Sequence, residues 1–410
     1  MFQLFHLYNS FCFVRTHILL SFINTNIKEM YDFSIDILSK IYITAGWLIG
    51  INRLSVAFKI KSRYNIMSLC CSFLLNSVLG YCILILGINQ LISIVRIVNL
   101  IQYFICSFFA IKSCRVLKKF YNELFEFDKE IKYQLPTTLL SRFFCGLIIV
   151  MLSVIIGVII IISQSSKTKI HELIVFSIID FNNIMECFYI GHLFSLLEVR
   201  LKSIRILLLS SFPYKNHKHF STENVNINFK DKNVSKILNR NPEVEIRQLL
   251  LLYYRLIKAY DFLYTSIKWQ LFSSLISSFL TILNTLHFTI IHISQIEYNN
   301  FQDKLPGVGL IMIRAIPLLV PCFFGSKICN EVALLHSALF TRAHQNVFDV
   351  TSRSSANLFL DLIQARTLTF SVFRMIEINT TLPFKFIGLL ATYFLIIMQF
   401  EKVLNFDTHR

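Results

Sequence analysis

The chain has 410 residues, of which 55% are hydrophobic and 16% charged, and its mean hydropathy is +0.59. Soluble proteins carry about 25% charged residues, so this composition excludes a disordered chain, a collagen-like repeat, a disulfide-stapled secreted module and nearly every soluble enzyme. The formal net charge of +16 is explained first by membrane sidedness, because basic residues concentrate in cytoplasmic segments, and we therefore expect no nucleic-acid partner.

The N-terminal 29 residues are hydrophobic, but they contain Arg15 and lack both a basic start and a small-residue cleavage site. We therefore expect no signal peptide. Met30 is an alternative start, and either start leaves an N-terminal segment, residues 1–65, ahead of the first predicted span.

Seven segments are long and apolar enough to cross a bilayer, which requires about 20 mostly apolar residues. Three of them carry no charge, and the fourth span is interrupted by Asp180 and Glu186. The composition and these segments predict an all-α polytopic membrane protein with seven transmembrane helices. The predicted spans are residues 66–87, 91–111, 143–163, 173–197, 269–294, 305–326 and 382–400.

The distribution of Lys and Arg predicts the orientation of the chain. With the N-terminus inside, the cytoplasmic segments contain 30 of these residues and the outer segments contain 5. We therefore predict a cytoplasmic N-terminus, an extracellular C-terminus and a location in the plasma membrane. The cytoplasmic segments are residues 1–65, 112–138, 198–268 and 327–366, and the outer segments are residues 88–90, 164–172, 295–304 and 401–410.

The cytoplasmic segments are expected to contain helices as well as loops. Residues 211–243 are polar and predict a mobile loop, whereas residues 245–268 mix apolar and charged positions at helical spacing. We divide the chain into the segment 1–65, a six-helix ligand-binding bundle over 66–326 that includes the loop-helix region 198–268, and a C-terminal part, 327–410. That last part contains a cytoplasmic helix and the final membrane helix.

Polar side chains inside the spans are costly in lipid, so each is a functional candidate. Several fall at a similar depth in the outer half of the bundle and predict a cavity for a small polar ligand. The alternative is that Arg96 and Arg314 pair with Asp180 and Glu186 as structural bridges. The predicted pocket residues are Arg96, Asp180, Asn183, Glu186, Asn284, His287 and Arg314.

No metal or cofactor site is predicted. The ten cysteines all lie in spans or cytoplasmic segments and are expected to be reduced, and no Cys-x-x-Cys pair occurs. His287 and His292 share a helix but point about 140° apart, which makes joint metal ligation awkward. We recognise no catalytic arrangement of His, Asp and Glu, so no enzyme activity is expected.

The last span contains the run Thr392-Tyr393-Phe394-Leu395-Ile396-Ile397-Met398-Gln399-Phe400. Seven residues nearly complete two helical turns, so Thr392 and Gln399 share one stripe and Tyr393 and Phe400 share the next. Such a helix either hydrogen-bonds to a neighbour through Gln399 or faces a water path that Phe400 closes by dewetting.

This run resembles the Thr-Tyr, five hydrophobics, Gln-Phe motif in the last helix of insect gustatory receptors and matches it at every fixed position. Residues 358–370 resemble the stretch before that helix, whereas the tripeptide at 373–375 departs from the family pattern. The resemblance implies a ligand-gated, non-selective cation channel opened by a small-molecule tastant.

The resemblance also implies a homotetramer, or a heterotetramer with other gustatory receptor subunits. Each subunit would contribute its final helix to a central pore, with Gln399 and Phe400 as the constriction. Cytoplasmic extensions of the later helices would form the main contact between subunits.

Four other protein classes were weighed. A G-protein-coupled receptor would have an external N-terminus, against the charge distribution, and a transporter usually has broken helices, for which only Pro317 and Pro321 offer a place. A membrane-embedded enzyme lacks a recognisable catalytic spacing. An odorant receptor would share the architecture, so the terminal motif is what favours a gustatory receptor.

Overall fold

A computed structural model describes residues 91–131, 170–211, 242–295, 305–344 and 350–408 except Arg374, with five isolated earlier positions. Apart from those positions, the N-terminal segment, the predicted spans at 66–87 and 143–163 and most of the 211–243 loop lie outside the described residues. The side chains of Arg96, Asp180 and Phe400 lie outside them too. The isolated positions are Tyr42, Ile43, Arg53, Ser77 and Gly146.

The described residues form six helices and one small hairpin. The other five predicted spans each lie within one of these helices, which confirms the helical prediction for them. The elements are α1 (Leu91–Ile131), α2 (Ile170–Ser211), α3 (Pro242–Gln295), α4 (Leu305–His344), α5 (Val350–Ala365), β1 (Ser371–Val372), β2 (Ile376–Glu377) and α6 (Thr381–Thr408).

Helices α1 to α4 are 40 to 54 residues long, about twice the length that a bilayer core requires. The part of α3 before its predicted span corresponds to the helix predicted over residues 245–268. Helix α3 begins at Pro242, and proline is suited to the first turn of a helix. The structure also continues α1 to Ile131 and α2 to Ser211, where long polar segments were predicted. Buried aromatic residues at helical spacing, such as Phe120 and Phe127, explain this because each extension packs an apolar face.

By length and hydropathy alone, Ile97–Ile131 and Arg314–His344 are the two helices of the described chain that could cross a membrane. Thr381–Ile396 is a shorter apolar helix.

Aromatic and lysine side chains meet at one level of the bundle, beside the predicted ends of three spans. Phe109 of α1 stacks on Trp269 of α3 at 5.5 Å, and Lys112 lies 5.9 Å from the Phe109 ring. On α4, the Lys327 ammonium lies 4.4 Å from the ring of Phe323. Lysines with aromatic rings are typical of the boundary between hydrocarbon and water. We therefore assign this level as the boundary between the predicted membrane half of the bundle and the helical extensions.

Helices α2 and α4 approach closely at Gly191. A Cβ atom at this position would lie 2.9 Å from side-chain atoms of both Val320 and Phe324. Glycine is therefore required for the present spacing of the two helices. Helix α4 continues through Pro317 and Pro321 without interruption, so the site at which a break was considered is helical.

A short hairpin precedes the final helix and is the one departure from an all-helical fold in the described chain. Strand β1 pairs with β2 in antiparallel register, and the turn between them places Phe373 at a φ of 52°. This conformation is unusual for a bulky residue. Its ring packs 4.6 Å from that of Trp269 and 5.0 Å from that of Phe272. The hairpin therefore lies at the boundary level, directly before α6.

Candidate functional site

Two amide side chains connect three helices in the membrane half of the bundle. The Oδ1 atom of Asn99 on α1 accepts hydrogen bonds from Ser277 at 2.7 Å and Thr281 at 3.0 Å, which lie one turn apart on α3. The Oδ1 atom of Asn183 on α2 accepts from Gln102 at 2.5 Å and Ser274 at 3.0 Å. Hydrogen bonds between membrane helices hold them in register. Helices α1, α2 and α3 are therefore fixed around one polar layer.

A pocket lies beside this polar layer, where α4 joins the other three helices. It contains about 290 Å³ of empty space, counting the part that is open to the surroundings. The lining residues are Asn99, Asn183, Ile184, Ser278, Thr281, Arg314 and Pro317.

Two polar atoms of the pocket lining have unused hydrogen-bonding capacity. Arg314 donates from Nη1 to Thr285 Oγ1, but its buried Nε has no hydrogen-bond partner among the described residues. The hydroxyl of Ser278, a residue that is 2% exposed, also has no partner there. Buried polar groups in folded proteins are nearly always hydrogen-bonded. These two atoms therefore mark where a bound molecule would add interactions.

Glu186 is not among the residues that line this pocket. Both of its carboxylate oxygens accept hydrogen bonds from Arg53 instead. The guanidinium donates to them at 2.6 Å and 2.7 Å, and both side chains are almost completely buried. Arg53 also lies 4.7 Å from the ring centre of Tyr189. The alternative of a structural bridge between Glu186 and Arg314 is therefore wrong, and so is the prediction that Glu186 lines the pocket. Arg53 replaces Arg314 as the partner because a buried carboxylate requires a close countercharge.

The other six predicted pocket residues divide into three groups. Asn183 and Arg314 line the pocket, whereas Asn284 and His287 are half-buried on α3 outside its lining. The helical positions of Arg96 and Asp180 are described, but their side chains are not. Sequence reasoning missed Asn99, Ser278 and Thr281. Ser278 and Thr281 are hydroxyl residues, which are common in membrane helices. Asn99 is an amide inside a predicted span, so the criterion that selected Asn183 could have found it.

Among the described helices that contain a predicted span, the final helix α6 is the least covered. Its anchoring contacts are near its start, where Leu382 is buried and the ring of Phe386 lies 5.0 Å from that of Phe279. Beyond them both Tyr393 and Gln399 are exposed, and Thr392 donates within its own helix to the Gly388 carbonyl at 3.0 Å. Large apolar side chains are exposed along most of the helix: Phe384, Ile387, Leu389, Phe394, Leu395, Ile396 and Met398.

Side chains of α3 fix the segment that leads into α6. Tyr260 donates to the carbonyl of Thr369 at 2.7 Å, and Tyr264 donates to that of Ser371 at 3.0 Å. A tyrosine hydroxyl is protonated at neutral pH and can donate, and burial raises the pKa of Tyr260 further above neutrality. On the other side, a Cβ atom on Gly325 of α4 would lie 2.7 Å from the carbonyl oxygen of Ile378. The segment before α6 is therefore held by both α3 and α4.

The sequence matches the family model described as 7tm Chemosensory receptor over residues 39–404. A comparison with curated proteins finds no match. Among solved structures, the fold is similar to the insect olfactory receptor OR5 from Machilis hrabei in complex with eugenol, with a TM-score of 0.57 and 14% identity over 88% of this chain and 97% of that one. It is also similar to a second structure of that receptor, described without a ligand, with a TM-score of 0.53, 14% identity and the same coverage.

Proposed function

The chain belongs to the 7tm chemosensory receptor family, and from that membership we propose that it is a gustatory receptor of the plasma membrane, a cation channel opened by a small-molecule tastant. Helix α6 is the observation that carries the proposal. It combines the Thr-Tyr, five hydrophobics, Gln-Phe motif with an apolar surface that the described chain leaves uncovered. A helix that is apolar on all sides needs lipid or another protein surface around it.

A tetramer accounts for the exposed surface of α6. Four copies around a central axis would cover part of each helix with its neighbours and leave a narrow path between them. The long extensions of α3 and α4, followed by α5, would supply the main contact between subunits. The same arrangement accommodates identical subunits or a mixture with other gustatory receptor subunits.

An odorant receptor is the second candidate, because the solved structures to which this fold is similar are olfactory receptors. At 14% identity, that similarity concerns the fold and does not identify the stimulus. The terminal motif with Gln399 and Phe400 favours the gustatory assignment.

Recording currents from cells that express this chain alone is the direct test. We expect a cation current in response to one or more members of a panel of sugars, bitter compounds and organic acids, and none from volatile odorants. Cells that carry the empty expression vector serve as the control for background channels. Current evoked only by odorants would support the second candidate, and surface-expressed protein without any evoked current would argue against a channel formed by this chain alone.

We predict that the N-terminus is cytoplasmic and the C-terminus extracellular, because 30 of the 35 basic residues in the assigned inner and outer segments fall in the inner ones. An epitope tag at the C-terminus should be accessible to antibody on intact cells. A tag at the N-terminus should become accessible only after permeabilisation. The reverse pattern would contradict both the orientation and the channel proposal.

A further inference from the structure

We propose that the pocket between α1, α2, α3 and α4 binds a small organic anion, a short-chain carboxylate, with Arg314 as its countercharge. The inference rests on the proposed function for its link to channel opening, and it names the class of molecule that this pocket accepts.

The charge of the described lining is positive. Arg314 is the charged member of the pocket lining, and the structure pairs it with the neutral hydroxyl of Thr285. Within the described side chains of α2, the buried acid is Glu186, and Arg53 occupies both of its oxygens. A cation at membrane depth is costly without an opposite charge. An anionic ligand would supply that charge.

The hydrogen-bonding groups of the lining are mainly donors. The Oδ1 atom of Asn99 accepts two hydrogen bonds from neighbouring side chains and that of Asn183 accepts three, so the amides have their NH2 groups to offer a ligand. The unpartnered Ser278 hydroxyl and Arg314 Nε are further donors. A carboxylate accepts several hydrogen bonds and pairs well with a guanidinium. The lining therefore matches a carboxylate better than a cation or a neutral amine.

The remaining lining residues suit a short alkyl chain. Ile184 and Pro317 present apolar surface beside the polar groups of the pocket. The alkyl chain of a short carboxylate would lie against these two residues, with its carboxylate at Arg314.

The competing explanation is an internal ion pair. Asp180 lies one helical turn before Asn183 on α2, and its side chain is outside the described residues. If Asp180 neutralises Arg314, the pocket needs no anion. In that case the wild type would not bind carboxylates, whereas Asp180→Asn would gain binding.

Binding is measured on the full-length protein purified in detergent, so that the result does not depend on channel opening. We expect sodium butyrate, at constant ionic strength set with sodium chloride, to raise the midpoint of thermal unfolding in a concentration-dependent way. Butyramide, which has nearly the same shape without the charge, should leave it unchanged. Equal effects of butyrate and butyramide would overturn the proposal, as would no effect of butyrate.

Single substitutions connect this binding to the pocket. Arg314→Gln should abolish the butyrate effect, and Ser278→Ala should weaken binding about tenfold because it removes a hydrogen bond to a charged group. Ser352→Ala is the matched control, since Ser352 on α5 is also buried with an unpartnered hydroxyl but is outside the pocket lining. Retained butyrate binding in well-folded Arg314→Gln, or binding that appears only in Asp180→Asn, would overturn the proposal.

Current recordings then show whether the carboxylate proposal or the channel proposal has failed. A current that low concentrations of butyrate evoke in the wild type but not in Ser278→Ala would support both the carboxylate site and the channel. Thermal stabilisation by butyrate without any current would support the pocket and count against the channel. A current evoked by other tastants, with no stabilisation by butyrate, would leave the channel proposal in place and overturn the anion.

Discussion

Replacing Phe400 by alanine is expected to raise the current in the absence of ligand severalfold or more. Four phenylalanine rings around a narrow path would exclude water in the closed state, and an apolar constriction without water blocks ions even when no charge barrier exists. Truncating the rings widens and wets the path. Whole-cell recording of wild-type and mutant channels, normalised to surface expression, measures the effect.

Two further substitutions on α6 sharpen this test. Gln399→Ala should change single-channel conductance more than ligand sensitivity, because it alters the polar group beside the constriction. Phe394→Ala is the matched control: Phe394 is exposed on the same helix, six residues before Phe400 and therefore on a different face. Basal current that is unchanged in well-expressed Phe400→Ala, or raised equally by Phe394→Ala, would disprove the gate assignment.

Arg53→Met is expected to remove most of the protein from the cell surface. The substitution leaves the carboxylate of Glu186 buried without its countercharge, and breaking a buried ion pair in this way costs about 3–5 kcal/mol. Such a loss is comparable to the whole stability of many proteins. Surface biotinylation and size-exclusion chromatography of the detergent-solubilised protein would measure it.

The double variant Arg53→Met with Glu186→Gln should recover much of the expression, because it removes the unpaired charge as well as the pair. Arg255→Met is the matched control. Arg255 also pairs with an acid, Glu130, at 2.8 Å, but both side chains are substantially exposed, so its loss should cost at most about 1 kcal/mol. If the two single substitutions lowered expression equally, the special role of the buried pair would be disproved.

Much of the helical framework could be predicted from the sequence because it follows from strong local patterns. The membrane half of α1, α4 and α6 is visible as apolar runs, and the extension of α3 appears as apolar residues at helical spacing from residue 245 onwards. The extension of α1 was harder to predict. Its charged residues alternate with buried ones such as Leu117 and Leu124, so the average over a long window is polar.

The hairpin before α6 could not be predicted because its strands have two residues each, too few for an alternating pattern. Its turn contains Phe373, Arg374 and Met375 and lacks the glycine, asparagine or proline that usually signals a turn. Aromatic packing of Phe373 on α3 stabilises it instead, and such a tertiary contact leaves no local trace in the sequence.

The candidate pocket was predictable only in part. Arg314 and Asn183 stood out because charged and amide side chains are rare at membrane depth, whereas Ser278 and Thr281 are common in membrane helices. The ion pair of Glu186 was missed because Arg53 lies 133 positions away, in a segment assigned to the cytoplasm. Neither composition nor spacing can identify a partner at that separation.

The contact between Gly325 and Ile378 has a mechanical consequence. No side chain lies between the α4 backbone and the Ile378 carbonyl, so no rotamer change can absorb a relative displacement of the two segments. The contact between Gly325 and the Ile378 carbonyl is therefore rigid. A shift of α4 toward Ile378 would displace the chain three residues before α6. Arg314 and Pro317, which line the pocket, belong to the same helix two to three turns away. A displacement of helix α4 would therefore move the pocket lining and the start of the final helix together.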